Sequence, residues 1–143
     1  MLSYIFAVIA GATMSIQGVF NTRLSDKTGL YESNLFVQGT AFLFALIAML
    51  IFGKGDITKI SQTSPVYLLG GFLGIVITVT VMLSISSLSP TVAISTILIS
   101  QLTVAALIDA FGLFETKKVP FTLSNYIGLA LMVAGIIIFK KAS

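Results

Sequence analysis

Cysteine, histidine and tryptophan are all absent from the 143 residues, and proline occurs only three times. Without cysteine there is no disulfide framework and no thiolate metal site. Without histidine the commonest metal ligand and proton shuttle is missing. Charge is nearly as scarce. Only 9% of residues are charged, against about 25% in soluble domains. Such a chain cannot cover itself with a polar surface. No long polar stretch suggests a separate soluble domain. The net charge of +3 comes from scattered lysines and one arginine, with no basic tract that would serve nucleic acid.

What is present is hydrophobic: 57% of residues, with a mean hydropathy of +1.08. The few charges divide the chain into apolar runs. Residues 1–22, 33–53 and 119–139 are uncharged. Each is near the roughly 20 residues that cross a bilayer as a helix. The run 60–108 is long enough for two crossings, and "SSLSP" at 86–90 interrupts it. Ser89 is a candidate N-cap there, with Pro90 at the first helical position. The expected fold is all-α, a single transmembrane domain over 1–143, with five spans at about 3–22, 32–52, 66–86, 90–113 and 122–139. Tyr4, Tyr31, Tyr67 and Tyr126 each fall at a span end, as an aromatic belt requires. The first run has no positive charge before its apolar part, so it reads as a retained helix and not as a cleaved signal. Five crossings put the termini on opposite sides.

Lysine and arginine normally set orientation. Here the side of the N-terminus, side A, receives Lys54, Lys59, Lys117 and Lys118. The opposite side, side B, receives Arg23, Lys27, Lys140 and Lys141. Four stand against four. A chain without bias is able to insert both ways, and two opposed copies would then form an inverted repeat.

"GATMSIQGVFNTRL" in the first span and "QLTVAALIDAFGLF" in the fourth resemble the YdcZ-type family of the drug/metabolite transporter superfamily. The resemblance covers nearly the whole chain. It implies a bacterial inner-membrane protein whose five helices are similar to half of a ten-helix EamA-type transporter. It also implies work as an antiparallel dimer, of like chains or of paired subunits. The family's substrates are poorly defined, so the substrate stays open, as does the direction of transport. In one respect the chain departs from the superfamily's small multidrug resistance branch. That branch uses a glutamate in its first helix for proton-coupled export of cations, and this first helix has no acid.

Polar residues within spans tend to face a bundle interior or a watery cavity. Thr13, Gln17 and Asn21 share one face of the first helix, and Asn34 and Gln38 share one face of the second. These amides read either as a lining that binds substrate or as interhelical glue. Gln101 lies near the middle of the fourth span. Asp109 lies about 10 Å from the midplane, the only acid well inside a span. It reads as a cation or proton site, or as a helix-end residue that reaches water. In an inverted partner Asp109 would come to the depth of Gln17 and Gln38. The candidate cavity-lining residues are therefore Gln17, Asn21, Gln38, Gln101 and Asp109. Gly11, Ser15 and Gly18 form a small-residue stripe on the first helix, continued by Thr22. Gly70 and Gly74 make a GxxxG on the third, and Gly128 and Gly135 smooth the fifth. These suit close packing or a dimer contact.

No phosphate-binding glycine loop, metal cluster or nucleophile with a base is evident, so neither an enzyme nor a bound cofactor or metal is expected. The expected partners are a second copy, lipid and a small-molecule substrate. The reading is a transporter working by alternating access, with a passive channel or a non-transporting accessory subunit as the alternatives.

Overall fold

The computed structural model describes residues 1–142. Five α-helices carry the chain: α1 (Leu2–Thr28), α2 (Leu30–Phe52), α3 (Gly70–Ser87), α4 (Pro90–Phe111) and α5 (Leu123–Ala142). A 3-10 turn at Pro65–Leu69 leads into α3. All five are long and apolar enough to cross a membrane.

Helix α1 outruns its apolar segment. The polar tail from Arg23 to Thr28 stays helical, and an exposed Arg23–Asp26 ion pair of 3.6 Å sits on it. The chain then reverses through one residue, Gly29, at φ 102°. A side chain rarely adopts that conformation, which glycine allows without penalty. Its N–H donates to Ser25 O and its carbonyl accepts from Ser33 N. Gly29 thus closes the last turn of α1 and opens the first turn of α2.

The break near 86–90 is present. Helix α3 ends at Ser87, and Ser89 Oγ accepts from Val92 N at 3.5 Å, with Pro90 opening α4. Helix α4 ends on Gly112 in the left-handed region. Phe114 and Glu115 also have positive φ. This tight return brings Val119 N to the Asp109 carbonyl at 2.9 Å. At the start of α5, Phe121 and Tyr126 meet edge to face, with centroids 4.7 Å apart.

Between α2 and α3 lies a 3-10 helix, Ile57–Gln62, capped by Asp56. The Asp56 carboxylate accepts from Thr58 Oγ1 at 2.6 Å and from Thr58 N at 3.0 Å. Those bonds favour the ionised form and hold the carboxyl below its ordinary value. The cap is thus intact at neutral pH. It is lost only as pH falls through that lowered value.

The chain divides into two compact units, Met1–Ser86 and Ser87 onward. In the first unit every buried residue lies toward side B. They are Gly18, Asn21 and Thr22 on α1, Ser33 and Asn34 on α2, and Met82 and Ile85 on α3. Toward side A, residues 41–73 are exposed throughout. The exposed residues of α2 include Phe42, Phe44, Leu50 and Phe52. In the second unit Val92 and Ala93 are the buried residues of α4.

Candidate polar site within the helices

Helices α1 and α2 pack on each other, and side chains of α3 reach both. A Cβ built on Gly18 would lie 2.9 Å from Ile85 Cδ1 and 3.2 Å from Val81 Cγ1. A side chain larger than alanine would push α1 and α3 apart there. On α2, Ser33 Oγ lies 3.5 Å from Met82 Sδ, and both residues are 1% exposed. Further from side B, Gln38 Nε2 donates to Thr78 Oγ1 at 3.3 Å. The pairs Ser33–Met82 and Gln38–Thr78 run in opposite directions along the two helices, so α2 and α3 are antiparallel neighbours. Gly74 adds to the same contact, since its Cβ position is 3.6 Å from Gln38 Nε2.

The hydroxyls in this region donate to their own helices. Thr22 Oγ1 donates to Gly18 O at 2.8 Å, Thr78 Oγ1 to Gly74 O at 2.8 Å and Ser33 Oγ to Leu30 O at 3.1 Å. Such back-bonding is how serine and threonine sit inside helices. It uses their protons and leaves oxygen lone pairs facing outward. Asn34 is the exception. It is 7% exposed, and its Oδ1 is buried with no hydrogen-bond partner.

The expected residues therefore separate. Gln38 is half-buried and bonded across helices, while Asn21 is buried. Gln17 and Gln101 are exposed on apolar helices. Asp109 is exposed in the last turn of α4, which ends at Phe111, two residues short of the expected 113. The glycines separate too. Gly18 and Gly74 have neighbours from another helix, whereas Gly11, Gly70, Gly128 and Gly135 have nothing within 4 Å. Ser15 donates to Gly11 O at 3.0 Å. Asn34 carries a weaker sequence signal because it lies near a span edge drawn from charges. Helix α2 begins two residues earlier than the expected 32, at Leu30, which sets Asn34 deeper. Ser33 and Met82 carry no sequence signal, because a lone serine and a methionine are ordinary in an apolar run. A shallow cleft of about 500 Å³ elsewhere is lined by Met49, Leu50, Gly53, Gly55, Asp56 and Ile57 and involves none of the amides. Among the described residues no group of acidic side chains is placed to hold a metal.

The Gln38–Thr78 bond yields a modest expectation. Gln38→Ala and Thr78→Ala should each destabilise the chain by about 0.6–2 kcal/mol. A double-mutant cycle by thermal unfolding in micelles should show coupling of the same order. Full additivity would remove the bond from the account.

Residues 2–138 match the family described as "Putative inner membrane exporter, YdcZ". The chain belongs to the YdcZ family of the drug/metabolite transporter superfamily. It matches no curated protein and no solved structure. The YdcZ match spans all five helices, and the superfamily's general activity is transport of small molecules across membranes. In this YdcZ-family chain the amides on α1 and α2 and the Asp109 turn of α4 lie within the matched region.

Proposed function

We propose that this chain is a small-molecule transporter of the bacterial inner membrane, working as an antiparallel homodimer by alternating access. A central polar cavity would form between the two copies. The five-helix unit would correspond to half of a ten-helix EamA-type transporter. The observation that carries the reading is the exposure of Gln17 and Gln101 on otherwise apolar helices. An amide facing hydrocarbon is costly, so such groups call for a cavity or a second copy. The even division of basic residues supports the antiparallel pairing. Inversion would bring Asp109 of one copy to the depth of Gln17 of the other. The chain is read as non-catalytic, with no bound cofactor.

Flux into proteoliposomes tests this. Purified chain, offered a panel of labelled amines, polyols and amino acids under a pH gradient, should concentrate at least one. Purely downhill flux would make it a channel. No flux alone, with activity gained from a partner protein, would make it an accessory subunit. With a transported solute in hand, Gln17→Ala and Asp109→Asn should combine non-additively, and clean additivity would separate the two residues.

A further inference from the structure

The first unit holds one polar atom that folding leaves unsatisfied. Asn34 Oδ1 is buried and unpartnered, in a side chain more than nine-tenths buried. A buried acceptor without a donor is costly, and native structures carry few of them.

The polar groups toward the same end of the unit share one character. Ser33, next in the chain, donates its proton to Leu30 O and keeps its lone pairs. Thr22 does the same on α1 through Gly18 O. Gln38 commits its Nε2 to Thr78, which leaves its Oε1 as an acceptor. The thioether of Met82, a weak acceptor, lies against Ser33. No charge belongs to this set. Arg23 is exposed and paired with Asp26. The buried and half-buried polar groups at this end are therefore neutral and rich in acceptors, while the charges there, Arg23, Asp26, Lys27 and Glu32, are exposed. The set holds no cation to offset the desolvation of a carboxylate or phosphate, only the amide N–H groups of Asn21, Asn34 and Gln38.

We propose that this end of the α1–α2–α3 unit is a subsite for solutes that bring hydrogen-bond donors, with Asn34 Oδ1 as its principal acceptor. Primary amines fit best, because an ammonium group carries three donors and no acceptor. Hydroxylated solutes follow, and anions, which would find no cation here, are disfavoured. In this conformation the atom is buried, and Ser33 against Met82 and Gly18 against Ile85 close the same end of the unit. A solute reaches it when that end parts. The unpaired carbonyl makes the sealed state easier to leave. This assignment rests on the transporter reading above and names the substrate class for it.

The test uses the full chain in lipid nanodiscs and labelled ethylammonium in equilibrium dialysis. Unlabelled tetramethylammonium has the same charge and no donor, and acetate is the anionic control. Saturable ethylammonium binding is expected, displaced by neither control. Asn34→Leu should weaken binding about 10- to 100-fold, as expected for losing a hydrogen bond to a charged group. Asn34→Asp keeps the acceptor and should retain binding. Circular dichroism checks that each variant remains helical. If Asn34→Leu fails to fold, the wild-type Asn34 carboxamide provides the second measurement, and its solid-state NMR shifts should move with ethylammonium alone. Equal displacement by tetramethylammonium, unchanged affinity in Asn34→Leu, or no saturable binding would each overturn the assignment. Binding without flux would keep the subsite and sink the transporter. Flux of another solute without ethylammonium binding would do the reverse.

Discussion

Gly18→Leu is expected to destabilise the Met1–Ser86 unit by about 1–3 kcal/mol, the usual cost of overpacking a filled contact. The site tolerates a first added carbon only by moving a neighbour. A Cβ there meets Ile85 Cδ1 at 2.9 Å and Val81 Cγ1 at 3.2 Å. Ile85 Cδ1 is the tip of a flexible side chain, so alanine requires a small rotation and little more. Leucine must place three further carbons where α1 and α3 already touch. Gly11→Leu, on the same helix, is the control. Nothing lies within 4 Å of the Gly11 Cβ position, so the unit should unfold at the same temperature as wild type. Thermal unfolding in micelles separates the two variants. If both shift equally, the Gly18 contact is not what holds α1 to α3. If Gly11→Leu leaves the fold intact but lowers association in a bilayer, that face belongs to a second copy.

Larger still should be the effect of fixing orientation. Lys54 and Lys59 lie on side A, and Lys140 and Lys141 on side B. Changing the first pair to glutamine leaves two basic residues against four. Changing the second pair does the opposite. Each variant should then insert one way only. Under the antiparallel proposal, each alone should lose transport almost completely. Co-expression of the two should restore it, because the pair again contains both orientations. Impermeant labelling of single cysteines in the first and fourth loops reads orientation directly, and no native cysteine interferes. Full activity in either fixed variant alone would overturn the antiparallel dimer.

Much of this architecture is legible in the sequence, and the reason is physical. In a bilayer each span needs about 20 uncharged residues, so charges and the Ser89–Pro90 cap mark the helices well. Ends defined by polar residues are less legible. Arg23 suggests the edge of the first span, yet α1 continues to Thr28. A helix does not stop where the membrane does, and the terminator here is Gly29. The polar site is half legible. The i, i+4 amides identify the helices that matter. Which amide becomes buried depends on Gly18, Met82 and Ile85, where apolar residues of α3 happen to face α1 and α2. Periodicity does not report such contacts. Gln17 and Asn21 lie about 40° apart on one helix, yet Asn21 is buried and Gln17 exposed, because the packed face carries Gly18, Asn21 and Thr22 and Gln17 falls just beyond it.

That lopsided packing constrains a pair of inverted copies. If both copies held the same conformation, each membrane face would show one sealed end and one loose end. The two faces would be indistinguishable, and neither would be favoured for entry. Directional access then requires the twins to differ at any instant, one sealed where the other parts. Exchanging their conformations produces the same assembly seen from the opposite face. The inward- and outward-facing states would be equal in energy by symmetry, and only the solute and ion gradients would decide which way the cycle turns.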